Sequence, residues 1–235
     1  MGGWGEVLAA LSVFLLSHAL PARPALREAL VARMGRGAYL AVYSSVSLLV
    51  LIWLIVAVGR APYVPLWSFQ PWQLWLPLIV MPFACLLASL GLGIANPFSL
   101  GGRDTGFDPE RPGVVGITRH PLLWALALWA AAHALANGDL AHVALFGTFL
   151  FFSLLGAWAI DRRRQVRMGL ETWRTLARNA PFLPFGRLGR TRLTGWALPS
   201  LLMRLLLAVI VFLGLLMAHL PVIGLSPLPL ELMHG

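Results

Sequence analysis

Residues 121–161 read PLLWALALWAAAHALANGDLAHVALFGTFLFFSLLGAWAID. Two apolar runs, 121–138 and 139–161, meet at Asn137-Gly138-Asp139, a turn sequence that leaves little room for any other connection. Each run is long enough to cross a hydrocarbon core of about 30 Å, which takes roughly 20 helical residues. The stretch therefore predicts two membrane-spanning helices joined as a tight antiparallel hairpin.

The rest of the chain is also strongly apolar. Of its 235 residues, 59% are hydrophobic and 11% are charged, which is far from the balance of a soluble domain. The sequence predicts an all-α, polytopic transmembrane helix bundle with about six spans, the four others lying at about 4–21, 38–59, 72–95 and 198–220. The start of the first run carries Glu6 and no basic residue, so we expect a retained helix rather than a signal peptide.

The positive charge orients this bundle. The 18 basic residues are all arginines, and the net charge is +9. The first, third and fifth connections between runs are basic, whereas the second has Arg60 alone and the fourth has none. Because arginine-rich connections stay in the cytoplasm, the sequence predicts a multi-pass protein of the bacterial inner membrane with both termini outside. The clustering favours the lipid bilayer, and not nucleic acid, as the partner of these charges.

The fifth connection predicts a helix of its own. Val166, Leu170, Trp173 and Ala177 recur at spacings of four, three and four, which gives an apolar stripe on a helix otherwise covered in arginine. We expect this helix to lie on an anionic lipid surface. A basic loop is expected over residues 186–194.

The predicted organisation is a membrane domain followed by a short appendix. Residues 1–186 would hold five spans and the basic surface helix, and residues 187–235 would hold the basic loop, the sixth span and a loosely ordered outer tail. Cys85, the one cysteine, lies in an apolar run and is expected to be a small buried hydrophobe.

Two histidines are predicted inside helices rather than at their ends. His18 lies about two-thirds of the way along the first run, and His133 lies about twelve residues into the fourth, on one face with Trp129 and Asn137. Both imidazoles must face the bundle interior, since lipid offers no partner for an N–H. Such a pair suits axial ligation of a haem iron. The alternative is that each ring bonds a nearby backbone carbonyl or serine.

Arg119-His120-Pro121 opens the fourth run. Proline fits the first turn of a helix, so Arg119 and His120 are expected beside free backbone donors, a place suited to a phosphate, a cofactor carboxylate or a lipid headgroup. Asp161, at the end of the fifth run, would pair with Arg164 one turn on or with Arg119 across the hairpin.

Together these motifs resemble the NnrU family of bacterial membrane proteins and, more distantly, the haem-dependent 15-cis-zeta-carotene isomerases of plants and cyanobacteria. The resemblance covers roughly residues 10–186. Its positions are Ser17-His18, Tyr43-Ser44, Ser47, Asn96-Pro97-Phe98, Gly116-Ile117-Thr118-Arg119-His120-Pro121, Trp129, His133, Asn137-Gly138-Asp139, Gly156, Asp161-Arg162-Arg163, Gly169, Trp173 and Pro184-Phe185.

The resemblance implies haem b with His18 and His133 as iron ligands, and a role linked to nitrite and nitric oxide reduction. We expect the cofactor to be bound by His18, His133, Arg119, His120, Asn137 and Asp161. Two positions depart from the isomerases: Ala130 replaces a cysteine proposed as a switching ligand, and Phe152-Ser153 replaces a histidine pair. Isomerisation by ligand exchange is therefore not implied for this chain.

Two other interpretations stay open. The Gly-x-x-Arg-His-Pro motif and the basic helix are similar to the isoprenylcysteine carboxyl and phospholipid methyltransferases, which implies S-adenosylmethionine held by Arg119 and His120, with Asp161 or Glu171 as the acid. In the other, the chain is an assembly factor without chemistry, whose polar groups, Ser44 and Ser47 among them, bond helices together.

Overall fold

The computed structural model describes residues 3–20, 23–103, 105–186 and 198–228, and these residues form an all-α protein as predicted. The described ranges contain eight α-helices: α1 Trp4–Ala19, α2 Pro24–Met34, α3 Arg36–Gly59, α4 Trp75–Gly91, α5 Pro121–Asn137, α6 Leu140–Met168, α7 Leu170–Ala177 and α8 Leu198–Ile223. Short 3₁₀ turns at Pro71–Leu74 and Gly113–Gly116 precede α4 and α5.

Four segments of the described chain are long and apolar enough to cross a membrane. They are Arg36–Gly59, Pro71–Gly91, Leu140–Met168 and Leu198–Ile223, while α1 and α5 are apolar but shorter. In the most apolar stretch of α8 only 6% of the residues are buried, so most of its side chains are at least partly exposed. An apolar surface that points away from the protein suits lipid. The chain is a membrane protein, and the count of six spans and the outside position of both termini stay predictions.

The predicted surface helix is divided in two. Helix α6 continues past its apolar run to Met168 and ends at Gly169, whose φ of +82° is incompatible with a continued helix. Val166 therefore lies on α6, where it is 86% exposed. On α7, Trp173 and Ala177 pack against the protein core. The prediction of one continuous helix is wrong, because Gly169 divides its apolar stripe and Trp173 and Ala177 of α7 are partly buried against the core.

The first connection contains a helix that the apolar runs did not predict. Helix α2 starts with Pro24 at its first turn and ends at Gly35, whose φ is +80°. Helix α1 ends at Ala19, before the predicted limit, because Pro21 has no N–H to continue the hydrogen-bond ladder. His18 thus lies in the last turn of α1, and the prediction that it is away from a helix end is wrong.

The chain divides into two compact units. One comprises Met1–Ser68 and Gly138–Leu145. In it, α1 packs on α3 and buries Val7, Ala10 and Phe14, which lie on one face at spacings of three and four.

The other unit comprises Phe69–Asn137 and Phe146–Gly235. Helix α4 packs on both α5 and α8, and Cys85 on α4 is buried as predicted. The core extends into the connection between α4 and α5, where Phe98 is fully buried. The buried hydrophobic residues of this core are Ala84, Leu87, Leu90, Phe98, Val114, Val115, Ile117, Ala125 and Ala180. The connection is therefore a folded element rather than a surface loop.

The predicted hairpin of α5 and α6 is confirmed. Only Gly138 and Asp139 separate the two helices, and the rings of Trp129 on α5 and Phe146 on α6 are 5.3 Å apart. Asp139 caps α6, since its Oδ1 accepts the N–H of Ala141 at 3.2 Å. A short two-residue turn of this kind fixes where each helix ends, and hence the depth of the residues on both.

Candidate functional site

A buried ion pair lies where α5 begins. The Arg119 Nε donates to Oδ1 and Oδ2 of Asp161 at 3.0 and 2.9 Å, and Nη2 donates to the same carboxylate. The remaining nitrogen, Nη1, donates to the carbonyl of Ala180 at 2.9 Å. The two side chains are only 12% and 7% exposed. All three guanidinium nitrogens of Arg119 thus donate to acceptors within the protein.

His120 is fully enclosed next to this pair. Its Nε2 lies 2.9 Å from Asp161 Oδ1, and its Nδ1 lies 2.9 Å from the Ser99 hydroxyl. A neutral ring protonated on Nε2 satisfies both contacts, because it donates to the carboxylate and accepts from the hydroxyl. Both ring nitrogens are therefore occupied by partners from the chain.

Aromatic rings enclose the arginine. The guanidinium carbon of Arg119 lies 5.1 Å from the Trp173 ring and 5.2 Å from the Phe182 ring. Cation–π contacts at such distances stabilise a desolvated arginine. Trp173, one of the resemblance positions, lies on α7, and Phe182 lies in the segment after it, so both segments contribute to this site.

The segment after α7 is hydrogen-bonded to the residues before α5 and to the first turn of α5. Pro181 accepts the N–H of Arg119 at 2.9 Å, and the carbonyl of Phe182 accepts the hydroxyl of Thr118 at 2.8 Å and the indole N–H of Trp124 at 2.9 Å. Proline cannot donate, but its carbonyl still can accept, which suits this pairing. These hydrogen bonds hold Arg119 in the position where its side chain reaches Asp161.

Asn96 supports the same site from the connection after α4. Its side-chain amide donates to the carbonyl of Arg119 at 3.0 Å, and its Oδ1 accepts the N–H of Phe98 at 2.9 Å. It is fully buried, as is Phe98. In the sequence, Asn96 stands out only as part of a resemblance. The available signal was a polar Asn-Pro pair directly after an apolar helix.

The network differs from the anion site expected at this helix terminus. The anion that Arg119 and His120 hold is the carboxylate of Asp161, so the pairing of Asp161 with Arg119 is confirmed. Ser99, His120 and Asp161 also have the contacts of a nucleophile, base and acid, but Ser99 is 4% exposed and Arg119 already compensates the carboxylate. A closed, charge-balanced group of this kind stabilises helices and offers no open position to a substrate.

His133 lies on α5 in an aromatic wall. Its ring is 5.2 Å from Phe146 and 5.7 Å from Trp129, and its Nδ1 lies 2.8 Å from the carbonyl of Trp129 one turn earlier. Since a carbonyl only accepts, the ring proton is on Nδ1 and the lone pair is on Nε2. Asn137 on the same face donates its amide to the carbonyl of His133 at 2.8 Å, so that donor is used within the helix.

His18 is held in the same manner on α1. Its Nδ1 lies 2.8 Å from the carbonyl of Phe14, which again places the lone pair on Nε2. Its ring lies 6.2 Å from the ring of Tyr43 on α3. Ser47, one turn further along α3, has a buried hydroxyl with no hydrogen-bond partner in the described chain. The expectation that Ser47 bonds two helices together is therefore wrong.

The described residues contain no group of three or more His, Cys, Asp or Glu side chains that could hold a bare metal ion. A haem iron needs fewer protein ligands, because the porphyrin supplies the others. The chemistry of a single neutral imidazole with a fixed tautomer fits that need.

The fold and the site define an all-helical membrane protein whose α5 begins at a buried Arg-Asp-His network. The model of the NnrU protein family matches residues 6–227, and the chain belongs to this family. It is also 35% identical over 83 residues to "15-cis-zeta-carotene isomerase, chloroplastic" of Zea mays, a match that covers 34% of this chain and 22% of that protein. The chain thus spans about a fifth of the length of this curated relative. No solved structure matches it.

Proposed function

We propose that this chain is a haem b protein of the bacterial inner membrane that serves nitrogen-oxide reduction, with His18 and His133 as iron ligands. The observation that carries the proposal is the shared geometry of the two imidazoles. In each, Nδ1 bonds the carbonyl four residues earlier at 2.8 Å, so Nε2 holds the lone pair. Histidines that bind metals commonly donate their other N–H to a carbonyl, which fixes the ring and raises the basicity of the ligand.

Bound haem would supply one-electron redox chemistry, and the chain would supply orientation and a dry environment. The Trp129 and Phe146 rings beside His133 limit the directions in which that imidazole can turn. An apolar surround also sets the potential of a redox centre by disfavouring net charge. These roles need no open site at Arg119.

Family membership supports the link to nitrogen-oxide reduction, and the maize relative supports a link between this fold family and isomerisation of a carotene. Ligand exchange is not proposed for this chain. Ala130 is fully buried and has no donor atom, and the hydroxyl of Ser153 donates to the carbonyl of Phe149 at 2.8 Å. Neither position provides a second iron ligand.

The test is an absorption spectrum of the detergent-purified protein before and after dithionite, with the haem content measured as the pyridine complex. A Soret band that shifts on reduction is expected, and His18→Ala and His133→Ala should each remove at least half of the bound haem. His142→Ala is the control, because the Nδ1 of His142 bonds a carboxylate, that of Asp139 at 2.7 Å, and not the carbonyl four residues earlier. A colourless wild-type protein, or full haem content in both variants, would contradict the proposal.

A second candidate function is assembly of other membrane components without chemistry. The closed Arg119, His120 and Asp161 network favours it, since these charges meet one another rather than a substrate. The same closure disfavours S-adenosylmethionine, whose carboxylate would have to displace Asp161 from Arg119. Titration with S-adenosylmethionine separates the alternatives: a methyltransferase binds it and loses binding in Arg119→Ala, whereas an assembly factor binds neither this cofactor nor haem.

A further inference from the structure

Helix α6 presents two different faces. One face is buried against the protein and contains residues four positions apart: Ser153, Ala157 and Asp161. The other face is exposed and is lined, along the apolar part of the helix, by Phe151, Leu155 and Trp158. Because α6 is long and apolar enough to cross a membrane, an exposed apolar face on it suits contact with lipid.

The exposed face ends in arginines at the depth of the lipid headgroups. Helix α6 has 29 residues, whereas about 20 helical residues cross a hydrocarbon core. The apolar part, residues 140–160, therefore suffices for the crossing, and about two further turns, from Asp161 to Met168, extend beyond it. Trp158 lies near the end of the apolar part, and tryptophan is typical of the boundary between hydrocarbon and headgroups.

Three of the arginines in these last turns have no counter-charge. Arg162, Arg163 and Arg167 are exposed, and within the part of the chain that the structure describes none of them pairs with a carboxylate. The guanidinium carbon of Arg162 lies 6.0 Å from the Trp158 ring. Such a cation–π contact orients the guanidinium and leaves its positive charge in place.

The acidic residues near these arginines are already paired. Between residues 140 and 186 the chain has only Asp161 and Glu171. Asp161 lies on the buried face and binds Arg119, and Glu171 pairs with Arg174 at 3.1 Å. The charges at the end of α6 thus require an anion from outside these residues.

We infer that the end of α6, with Trp158, Arg162, Arg163 and Arg167, binds the headgroups of anionic phospholipids. Phosphate is a preferred partner of guanidinium, and a bilayer presents its phosphates directly beyond the hydrocarbon, where these arginines lie. Val166, between them in the chain, is 86% exposed, so this side of the helix is open to lipid. An anionic bilayer accounts for the depth, the charge and the exposed tryptophan together. The site shares no residue with the proposed haem ligands.

Native mass spectrometry of the full-length protein, released from nanodiscs of equal phosphatidylglycerol and phosphatidylcholine, tests this site. The wild type should retain phosphatidylglycerol about fivefold more often than phosphatidylcholine. The double variant Arg162→Gln with Arg163→Gln should lower this ratio by about threefold or more, because two charges that bind phosphate are lost. The double variant Arg162→Lys with Arg163→Lys should keep most of the preference, since the charge remains.

The matched control is the double variant Arg174→Gln with Arg178→Gln. It removes the same amount of charge from the same connection, but Arg174 pairs with Glu171 and Arg178 with Glu110. All four side chains are exposed, so neither double variant disturbs the core, and the control should keep the wild-type ratio. Equal retention of the two lipids by the wild type, or the same ratio in both glutamine double variants, would overturn the inference.

Discussion

Asp161 makes an arginine tolerable in the interior of a membrane protein. An unpaired guanidinium there would cost several kcal/mol, and the Asp161 carboxylate accepts from two nitrogens of Arg119 and from one nitrogen of His120. Because Arg119 and Asp161 are both largely enclosed, water hydrates neither charge well. Removal of one partner therefore shows how much the ion pair matters for the stability of the folded protein.

Asp161→Asn should destabilise the protein by about 3–5 kcal/mol, because it leaves a buried arginine without its counter-charge. The measurement is thermal unfolding in detergent, followed by loss of the monodisperse peak. Glu171→Gln is the matched control: Glu171 pairs with Arg174, but the two side chains are 87% and 63% exposed, and such pairs contribute at most about 1 kcal/mol. Equal unfolding temperatures of the two variants would refute a buried pair.

Ser47→Ala gives a prediction of opposite sign. In the haem-free protein the variant should unfold at the same temperature as the wild type or above it, since it removes a buried donor that has no acceptor. Ser153→Ala should instead lower that temperature, because the Ser153 hydroxyl donates to the carbonyl of Phe149. A larger loss in Ser47→Ala than in Ser153→Ala would show that the Ser47 hydroxyl has a partner.

Among the elements, the turn between α5 and α6 requires a glycine. Gly138 has a φ of +71°, and a Cβ added there would lie 2.6 Å from Nε1 of Trp67. The backbone on either side is bonded to residues 64–67, with Leu66 donating to the carbonyl of Gly138 at 2.8 Å and Leu140 to that of Val64 at 2.9 Å. Conformation and space both require glycine at this position.

Gly138→Ala should therefore cost at least about 1–2 kcal/mol, from strain at a positive φ and from the contact with Trp67. Gly147→Ala on α6 is the matched control, because a Cβ there meets no atom within 4 Å and alanine is the better helix former. Comparison of the two unfolding temperatures checks the prediction. A Gly138 variant as stable as the Gly147 variant would contradict the turn geometry.

The helices were predictable where hydrophobicity alone defines them. All six apolar runs contain the helices expected, since a polypeptide in lipid must satisfy its backbone by forming helix. The predictions failed at α2 and at the division of α6 from α7. Arginine-rich segments lack a long apolar run, and one glycine, Gly169, ends a helix that side-chain periodicity would continue.

The network of Arg119, His120 and Asp161 was also predictable in part. Arg119, His120 and Asp161 stand out because charge is rare in this chain, and their pairing follows from the hairpin. The carbonyls of Ala180 and Pro181 could not be identified, because backbone acceptors carry no sequence signature and lie 61 and 62 positions from Arg119 in the chain. Ser99 and Asn96 were missed as partners because their apposition depends on a connection whose path periodicity does not specify.

For the whole molecule, one contact bears on topology. Residues 64–67 are hydrogen-bonded to residues 138–140, so these two segments lie on the same side of the membrane. An even number of crossings must separate them, and the apolar helices α4 and α5 supply two. The shorter helix α5 is thereby favoured as a span, as the charge pattern of the connections predicts.

Cysteine labelling checks this topology in a Cys85→Ala background. Tyr63→Cys should react with a membrane-impermeant maleimide in intact cells, and Val166→Cys should react only after permeabilisation. Both residues are well exposed, at 69% and 86%, so access within the protein does not limit either reaction. Reaction of both positions in intact cells would place the second and fifth connections on one side and exclude the predicted arrangement.

The long separation between Arg119 and its partners also has a consequence for biosynthesis. As the chain leaves the ribosome, Arg119 emerges 42 residues before Asp161 and 61 before Ala180. Until those residues follow, the guanidinium has to stay in water or at lipid headgroups. The start of α5 can therefore settle into its final position only after α6, α7 and the segment to Phe182 have been made, and nascent chains stalled before that point should remain sensitive to membrane proteases.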